Sequence, residues 1–181
     1  MGVFLQTDRL LLSPLRSTDA PTLYRYRSTP EVSRFQGWNP ASLEEVERFI
    51  ERQREAEFDQ PQSWFQLGIR QRDSEELVGD LGVHFLEAGS QQVELGVTVD
   101  PRHQRLGIAR EAITRLLDYL FLELEKHRVI ASVDPQNAPI RALLQRVGFR
   151  EEGLFIESER IQGKWVDDLR FGLLRREWSS R

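Results

Sequence analysis

The sequence contains no cysteine, which removes disulfides, thiolate nucleophiles and Cys-ligated zinc from consideration. Its three histidines, His84, His103 and His127, show neither H-x-x-x-H nor H-E-x-x-H spacing, so no metal site is expected. No apolar run approaches the ~20 residues that span a bilayer, and the amino terminus lacks a basic-then-apolar signal segment. A cytoplasmic protein with no membrane contact is therefore expected. There is no G-x-x-x-x-G-K-[ST] loop and no G-x-G-x-x-G, which excludes an ATP-type loop and a dinucleotide fingerprint. Net charge is −4, which argues against a nucleic-acid partner and suits a cationic one. No internal repeat, low-complexity segment or linker interrupts the chain. Residues 1–181 read as one domain, 39% hydrophobic and 30% charged, with enough length for a sizeable core.

What is present is organised around residues 97–112. Val97, Thr98 and Val99 are β-branched and favour a strand, and Pro101 stops it near Asp100. From Ala109 the apolar residues Ala112, Ile113, Leu116, Leu117, Leu120, Phe121 and Leu124 recur at helical spacing. A strand feeding a helix N-terminus leaves backbone N–H groups without intrahelical partners, at the positive end of the helix dipole. Gly107 permits close approach of an oxygen, and Arg102 and Arg105 add positive charge. Such a loop is built to hold an anion, typically a phosphate.

The rest of the chain reads as a mixed sheet with helices. Thr7–Leu15 forms a first strand, followed by a helix through Leu23, Tyr24 and Tyr26 for which Ser17 and Thr18 offer N-caps. Pro30 precedes a short helical turn at Glu31–Ser33, and Gly37–Pro40 is a loop. Ser42-Leu43-Glu44-Glu45 is a capping box opening a helix with Val46, Phe49 and Ile50 on one face. Strands follow at Trp64–Ile69, Leu77–Phe85 and Val93–Val99. The short polar connections Arg72–Glu75 and Glu87–Ser90 imply antiparallel hairpins. After the central helix, Arg128–Val133 forms a strand parallel to its predecessor. Asn137 caps a helix carrying Ile140, Leu143, Leu144 and Val147, which Gly148 stops. Phe149–Ile156 and Trp165–Leu174 close the chain as a hairpin turning at Gln162-Gly163-Lys164.

Gln104-Arg105-Leu106-Gly107-Ile108-Ala109 resembles the [RQ]-x-x-G-x-[GA] loop of the GNAT acetyltransferase superfamily, which holds the pyrophosphate of acetyl-coenzyme A. The order of elements resembles the GNAT fold along nearly the whole chain. Thr7-Asp8-Arg9-Leu10, Pro14-Leu15, Asp19-Ala20 and Pro30-Glu31-Val32 resemble the RimJ/RimL-type branch at its start. Arg146–Gly153, Gly163–Asp168 and Leu173–Trp178 resemble its closing hairpin. The fold this implies is α/β (α+β): a mostly antiparallel seven-stranded sheet, splayed at its central parallel strands and flanked by about four helices.

The resemblance further implies acetyl-CoA as co-substrate and direct attack of a primary amine on its thioester. Val97, Thr98 and Val99 would pair with the pantetheine arm, and Gln104, Arg105, Leu106, Gly107, Ile108 and Ala109 would meet the pyrophosphate. A backbone N–H near Val99 would polarise the carbonyl. Asn137 matches the family's motif asparagine and is also a plain N-cap. Arg141 reaches a phosphate or is a surface arginine.

Glu94 is the candidate general base, acting through water, or else a strand glutamate that orients substrate or faces solvent. Ile140 and Leu144 stand where the family carries serine or tyrosine, which leaves the proton donor unassigned. On the acceptor side, His84 lines the cleft, and Phe35 and Trp38 either stack on substrate or plug the core. His103 flanks the loop, and the helix dipole accounts for Glu111.

The favoured acceptor is a protein N-terminal α-amine of ribosomal-protein type. The alternatives are a small amine such as an aminoglycoside or polyamine, and a non-catalytic acyl-CoA binding module. A homodimer through the late hairpin is compatible with the sequence.

Overall fold

The computed structural model describes residues 4–86 and 91–180. The Glu87–Ser90 connection lies outside the described residues, but the strands on either side of it do pair antiparallel. The chain begins with β1 (Leu5–Gln6) and β2 (Leu10–Pro14), joined by a turn in which the Thr7 N–H donates to the Leu10 carbonyl at 2.9 Å. A 3-10 turn at Ser17–Asp19 leads into α1 (Ala20–Arg27), α2 (Pro30–Ser33) and α3 (Leu43–Glu55). Next come β3 (Ser63–Gln71), β4 (Leu77–Phe85) and β5 (Gln92–Val99), then α4 (Ile108–Asp118), β6 (Arg128–Val133) and α5 (Ala138–Val147). A hairpin of β7 (Arg150–Ile161) and β8 (Lys164–Leu174) and the short α6 (Arg175–Trp178) finish the chain.

The strands form one sheet in the order β1-β2-β3-β4-β5-β6-β8-β7, antiparallel except for β5 against β6. Among the described residues the sheet has eight strands rather than seven, because the segment before the first expected strand adds β1, which pairs Leu5 with Leu12. Two residues are too few to show a period-2 pattern. Among the described residues there are six α-helices rather than four, the extra ones being the single turns α2 and α6. Neither Ser17 nor Thr18 caps α1. Asp19 stands at the cap position without a side-chain bond to the helix: its carboxylate accepts from the Arg16 N–H at 2.6 Å and is gripped by buried Arg70 at 2.5 and 2.8 Å. The expected long central helix ends at Asp118 and continues as a π turn over Tyr119–Glu123, closed by the Leu124 N–H on the Tyr119 carbonyl at 2.9 Å.

Leu67, Leu81, Val83, Phe85 and Val93 face α4 and α5, where Ile113, Leu116, Leu117 and Leu144 meet them in the main core. A smaller cluster of Leu15, Leu23, Tyr26, Val46 and Ile50 joins α1 and α3 across the opposite face. The period-2 alternation of strand side chains therefore places Trp64, Asp80, His84 and Glu94 on that second face.

Candidate active site

The site begins where the sheet opens. β5 and β6 pair at Gln92–Arg128, Val93–Val129 and Glu94–Ile130, and no pairing continues beyond, although both strands do. The Asp100 N–H donates to the Val78 carbonyl at 3.0 Å. By alternation Thr98 and Gly96 also point their backbone groups at β4; the Leu95 N–H closes the last pair with β6, and the Leu95 carbonyl, Val97 and Val99 turn into the fork. Of the three residues expected on this edge, Val97 and Val99 thus face the gap. Thr98 pairs with Asp80 instead. The Val99 carbonyl already accepts from the Gln104 side chain at 3.1 Å.

The fork leads up to the loop. Asp100 is fully buried at its base and accepts from Arg25 at 2.7 Å and from the Arg102 N–H at 3.1 Å. Burial works against its charge, but the bonds from Arg25 and Arg102 outweigh it and hold the carboxyl far below the usual range. Arg105 and Gly107 both adopt positive φ, 63° and 79°. Gly107 is the N-cap of α4, and the first intrahelical bond runs from the Glu111 N–H to the Gly107 carbonyl at 3.0 Å. The N–H groups of Ile108, Ala109 and Arg110 therefore precede the helix ladder. Gln104, Arg105, Leu106 and Gly107 are exposed, so the cradle opens to solvent.

A brace that sequence reasoning missed holds this loop. Arg9 Nη1 donates to the Leu106 carbonyl at 3.1 Å, while its Nε donates to Glu111 at 2.8 Å. The Thr7 hydroxyl donates to the other Glu111 oxygen at 2.5 Å. Glu111 is thus an anchor between the first hairpin and the cradle, beyond its match to the helix dipole. The only signal in the sequence was the Thr7-Asp8-Arg9 text itself. Its partners lie about a hundred residues away.

On the second face, Trp64, His84 and Glu94 stand side by side on β3, β4 and β5. The Trp64 and His84 rings stack at 4.6 Å and 11°, and His84 Nδ1 lies 3.3 Å from a Glu94 carboxylate oxygen. Arg170 of β8, held by Asp168 at 2.7 Å, feels the charge of Glu94 from the far side of the fork. Further along this face a buried network surrounds Asp80. Its carboxylate accepts from the Tyr26 hydroxyl at 2.5 Å and from Arg27 and the Gln66 amide. Burial pushes the Tyr26 hydroxyl well up, and the adjacent Asp80 charge pushes it further. Burial opposes the Arg27 charge, and Asp80 more than restores it.

The expected acceptor-side aromatics separate. Trp38 packs on Phe49 at 4.3 Å, donates its Nε1–H to Glu45 at 2.9 Å and lies under Arg27. It is a core plug. Phe35 carries Arg34 over its ring at 4.2 Å. Glu45 also accepts from the Ala41 N–H, so the box opening α3 keeps the Ser42 cap at 3.2 Å while its glutamate bonds one residue upstream.

At α5, Asn137 Oδ1 accepts from the Ile140 N–H at 3.5 Å, an N-cap on a helix that Gly148 ends at φ 110°. Arg141 donates to the Pro135 carbonyl at 3.1 Å. His103 packs beside Asp100, Nδ1 to carboxylate 3.8 Å. Leu144 is 2% exposed within the main core and Ile140 packs against it. The position where relatives' hydroxyls were expected is therefore structural. Leu144→Ser is expected to cost about 3 kcal/mol in chemical denaturation, from the lost side chain and the buried hydroxyl, and to raise no activity.

The comparisons agree with this architecture. A family profile described as Acetyltransferase (GNAT) domain matches residues 9–150. The chain is 30% identical to the uncharacterized N-acetyltransferase p20 of Bacillus licheniformis, over 97% of this chain and 98% of that protein. It is 29% identical to the ribosomal protein uS5-alanine N-acetyltransferase of Escherichia coli, over 68% and 64% of the two chains. It is 33% identical to the spermidine N(1)-acetyltransferase of Vibrio cholerae, over 50% and 53%. The crystal structure of a GNAT-family acetyltransferase from Bacillus anthracis superposes with a TM-score of 0.86, at 24% identity, covering 97% of this chain and all of that one. A sheet that forks between β5 and β6, a helix-capping loop above the fork and a family profile over most of the chain lead to one conclusion: this protein belongs to the GNAT family of acetyltransferases.

Proposed function

We propose that residues 1–181 work as one domain that moves an acetyl group from acetyl-CoA to the N-terminal α-amine of a protein. The observation that carries the co-substrate is the meeting of fork and cradle. An unpaired strand edge leads in register to a cluster of free N–H groups at a helix start. In this reading Gln104 to Ala109 hold the pyrophosphate. The pantetheine arm pairs as an added strand along Leu95, Val97 and Val99. Arg9 keeps the cradle shaped from behind, and Asn137 lies at the rim of the fork.

From Val99 to Leu95 the edge spans about 13 Å at strand rise. The N–H of Val97, deeper than that of Val99, would face the thioester carbonyl as an oxyanion donor. The attacking amine would approach from the second face, where Glu94 stands at the apex of the fork beside His84. Leu144 and Ile140 offer no proton, so the thiolate leaves with solvent or the substrate's own ammonium proton as its acid.

The ribosomal-protein relative supports a peptide α-amine as acceptor, and the spermidine relative supports the alternative of a small polyamine. The deciding experiment incubates the protein and acetyl-CoA with alanyl- and seryl-terminal peptides, spermidine and an aminoglycoside, then locates any acetyl group by mass spectrometry. Acetylation of a peptide α-amine is the expected result. Transfer to spermidine or the aminoglycoside alone would replace the acceptor. Tight binding of the co-substrate with no transfer would favour a binding module.

A further inference from the structure

Within that reading, we infer that the proton is taken by His84 and not by Glu94, and that Glu94 is a positioning residue for the imidazole. The inference rests on the row that β3, β4 and β5 bring together: the Trp64 ring stacked on His84 at 4.6 Å, and His84 Nδ1 at 3.3 Å from Glu94. A carboxylate can only accept, so this contact requires Nδ1 to carry the hydrogen. Nε2 is then left with its lone pair, the form in which an imidazole acts as a base. No protein group among the described residues is bonded to Nε2. The stacked indole fixes the ring plane, so two contacts hold the tautomer and the orientation. The same division of labour, a carboxylate behind and an imidazole in front, makes histidine the base in hydrolase triads.

The surroundings favour this assignment over Glu94 itself. Glu94 turns a carboxylate oxygen to His84 Nδ1 and has Arg170 on its other side, which leaves Nε2 as the outward-facing lone pair of the pair. The other charged groups on this face are Asp168 and Glu159, which hold Arg170, and Asp80 with Arg27 further along β4. In the transfer, His84 Nε2 takes one proton from the substrate ammonium. The freed lone pair forms the N–C bond, the C–S bond breaks with its electrons on sulfur, and the second N–H proton passes to the thiolate. The imidazolium then returns its proton to solvent.

Two measurements test the assignment. Nitrogen NMR of histidine-labelled protein reads the tautomers directly, and only three histidines need resolving. Neutral His84 is expected to carry its hydrogen on Nδ1 and to lose that preference in Glu94→Gln. A hydrogen on Nε2 in the wild-type protein would overturn the proposal. The pH dependence of kcat/KM, with an alanyl peptide or spermidine as probe, supplies the second readout. The wild-type acidic limb is expected to disappear in His84→Gln, with kcat reduced about 100-fold and acetyl-CoA affinity kept. In Glu94→Gln the limb should survive with a reduced kcat, because the ring that takes the proton remains and loses the contact that orients it. Added imidazole should restore part of the activity of His84→Ala. A limb that survives in His84→Gln and vanishes in Glu94→Gln would make Glu94 the base and sink the inference. If the wild-type protein acetylates neither probe, the acetyl-transfer reading is what fails, and the tautomer measurement still judges the pair.

Discussion

Gly107→Glu is expected to fold and to lose acetyl-CoA affinity by about 100-fold, equivalent to ~2.7 kcal/mol at room temperature. Two costs fall at this residue and on different quantities. The first is conformational: φ is 79°, a left-handed backbone that costs an L-residue about 1–2 kcal/mol. That cost falls on the fold, where Gly107→Ala should show it alone. The second is electrostatic. The new carboxylate would stand at the N-terminus of α4, among the N–H groups of Ile108, Ala109 and Arg110, and occupy the positive field meant for the pyrophosphate. It would also compete with Glu111 for Arg9, whose Nη2 lies 3.4 Å from where the Cβ would be. Calorimetric titration beside a thermal melt separates the two costs. A folded Gly107→Glu protein with unchanged affinity would remove the loop from the binding site.

The largest effect on stability is expected at Asp80. The residue is fully buried, and its carboxylate is the common acceptor for Tyr26, Arg27 and Gln66. Asp80→Ala would strand the Arg27 guanidinium, itself 7% exposed, with no counter-charge. Removing one member of a buried ion pair costs about 3–5 kcal/mol, much of it the penalty for the charge left behind. Urea unfolding should show that loss as a lower midpoint with an unchanged slope. The double variant Arg27→Met/Asp80→Leu should recover part of it, since the stranded charge goes too. A loss below about 1 kcal/mol in Asp80→Ala would mean that solvent reaches the network.

Much of this arrangement was legible in order and little of it in depth. The strand, loop and helix around Gly107 announced themselves because β-branching, a proline and a helical apolar period change over within a few residues. The cap at Asn137 and the stop at Gly148 are local chemistry and appear as read. The fork does not appear in any residue of β5. It exists because pairing with β6 ends after Glu94, a property of two strands whose partners lie far apart in sequence. The row Trp64–His84–Glu94 was invisible for the same reason. His84 and Glu94 were each singled out, but register places them in contact and adds Trp64. Trp38 shows the reverse case. An aromatic in a loop reads equally as a substrate platform or a plug, and its packing on Phe49 and its bond to Glu45 lie in contacts the sequence does not display.

The most direct test of the account is to follow the backbone amide resonances as acetyl-CoA is titrated in. The largest shifts and the new exchange protection are expected at Val97 and Val99 on the open edge of β5 and at residues 105–110 of the cradle, with β1 and the outer face of α4 nearly unchanged. Shifts confined to the groove between α4 and α6, around Thr114, Asp118 and Trp178, would contradict it, because the co-substrate would then lie outside the fork.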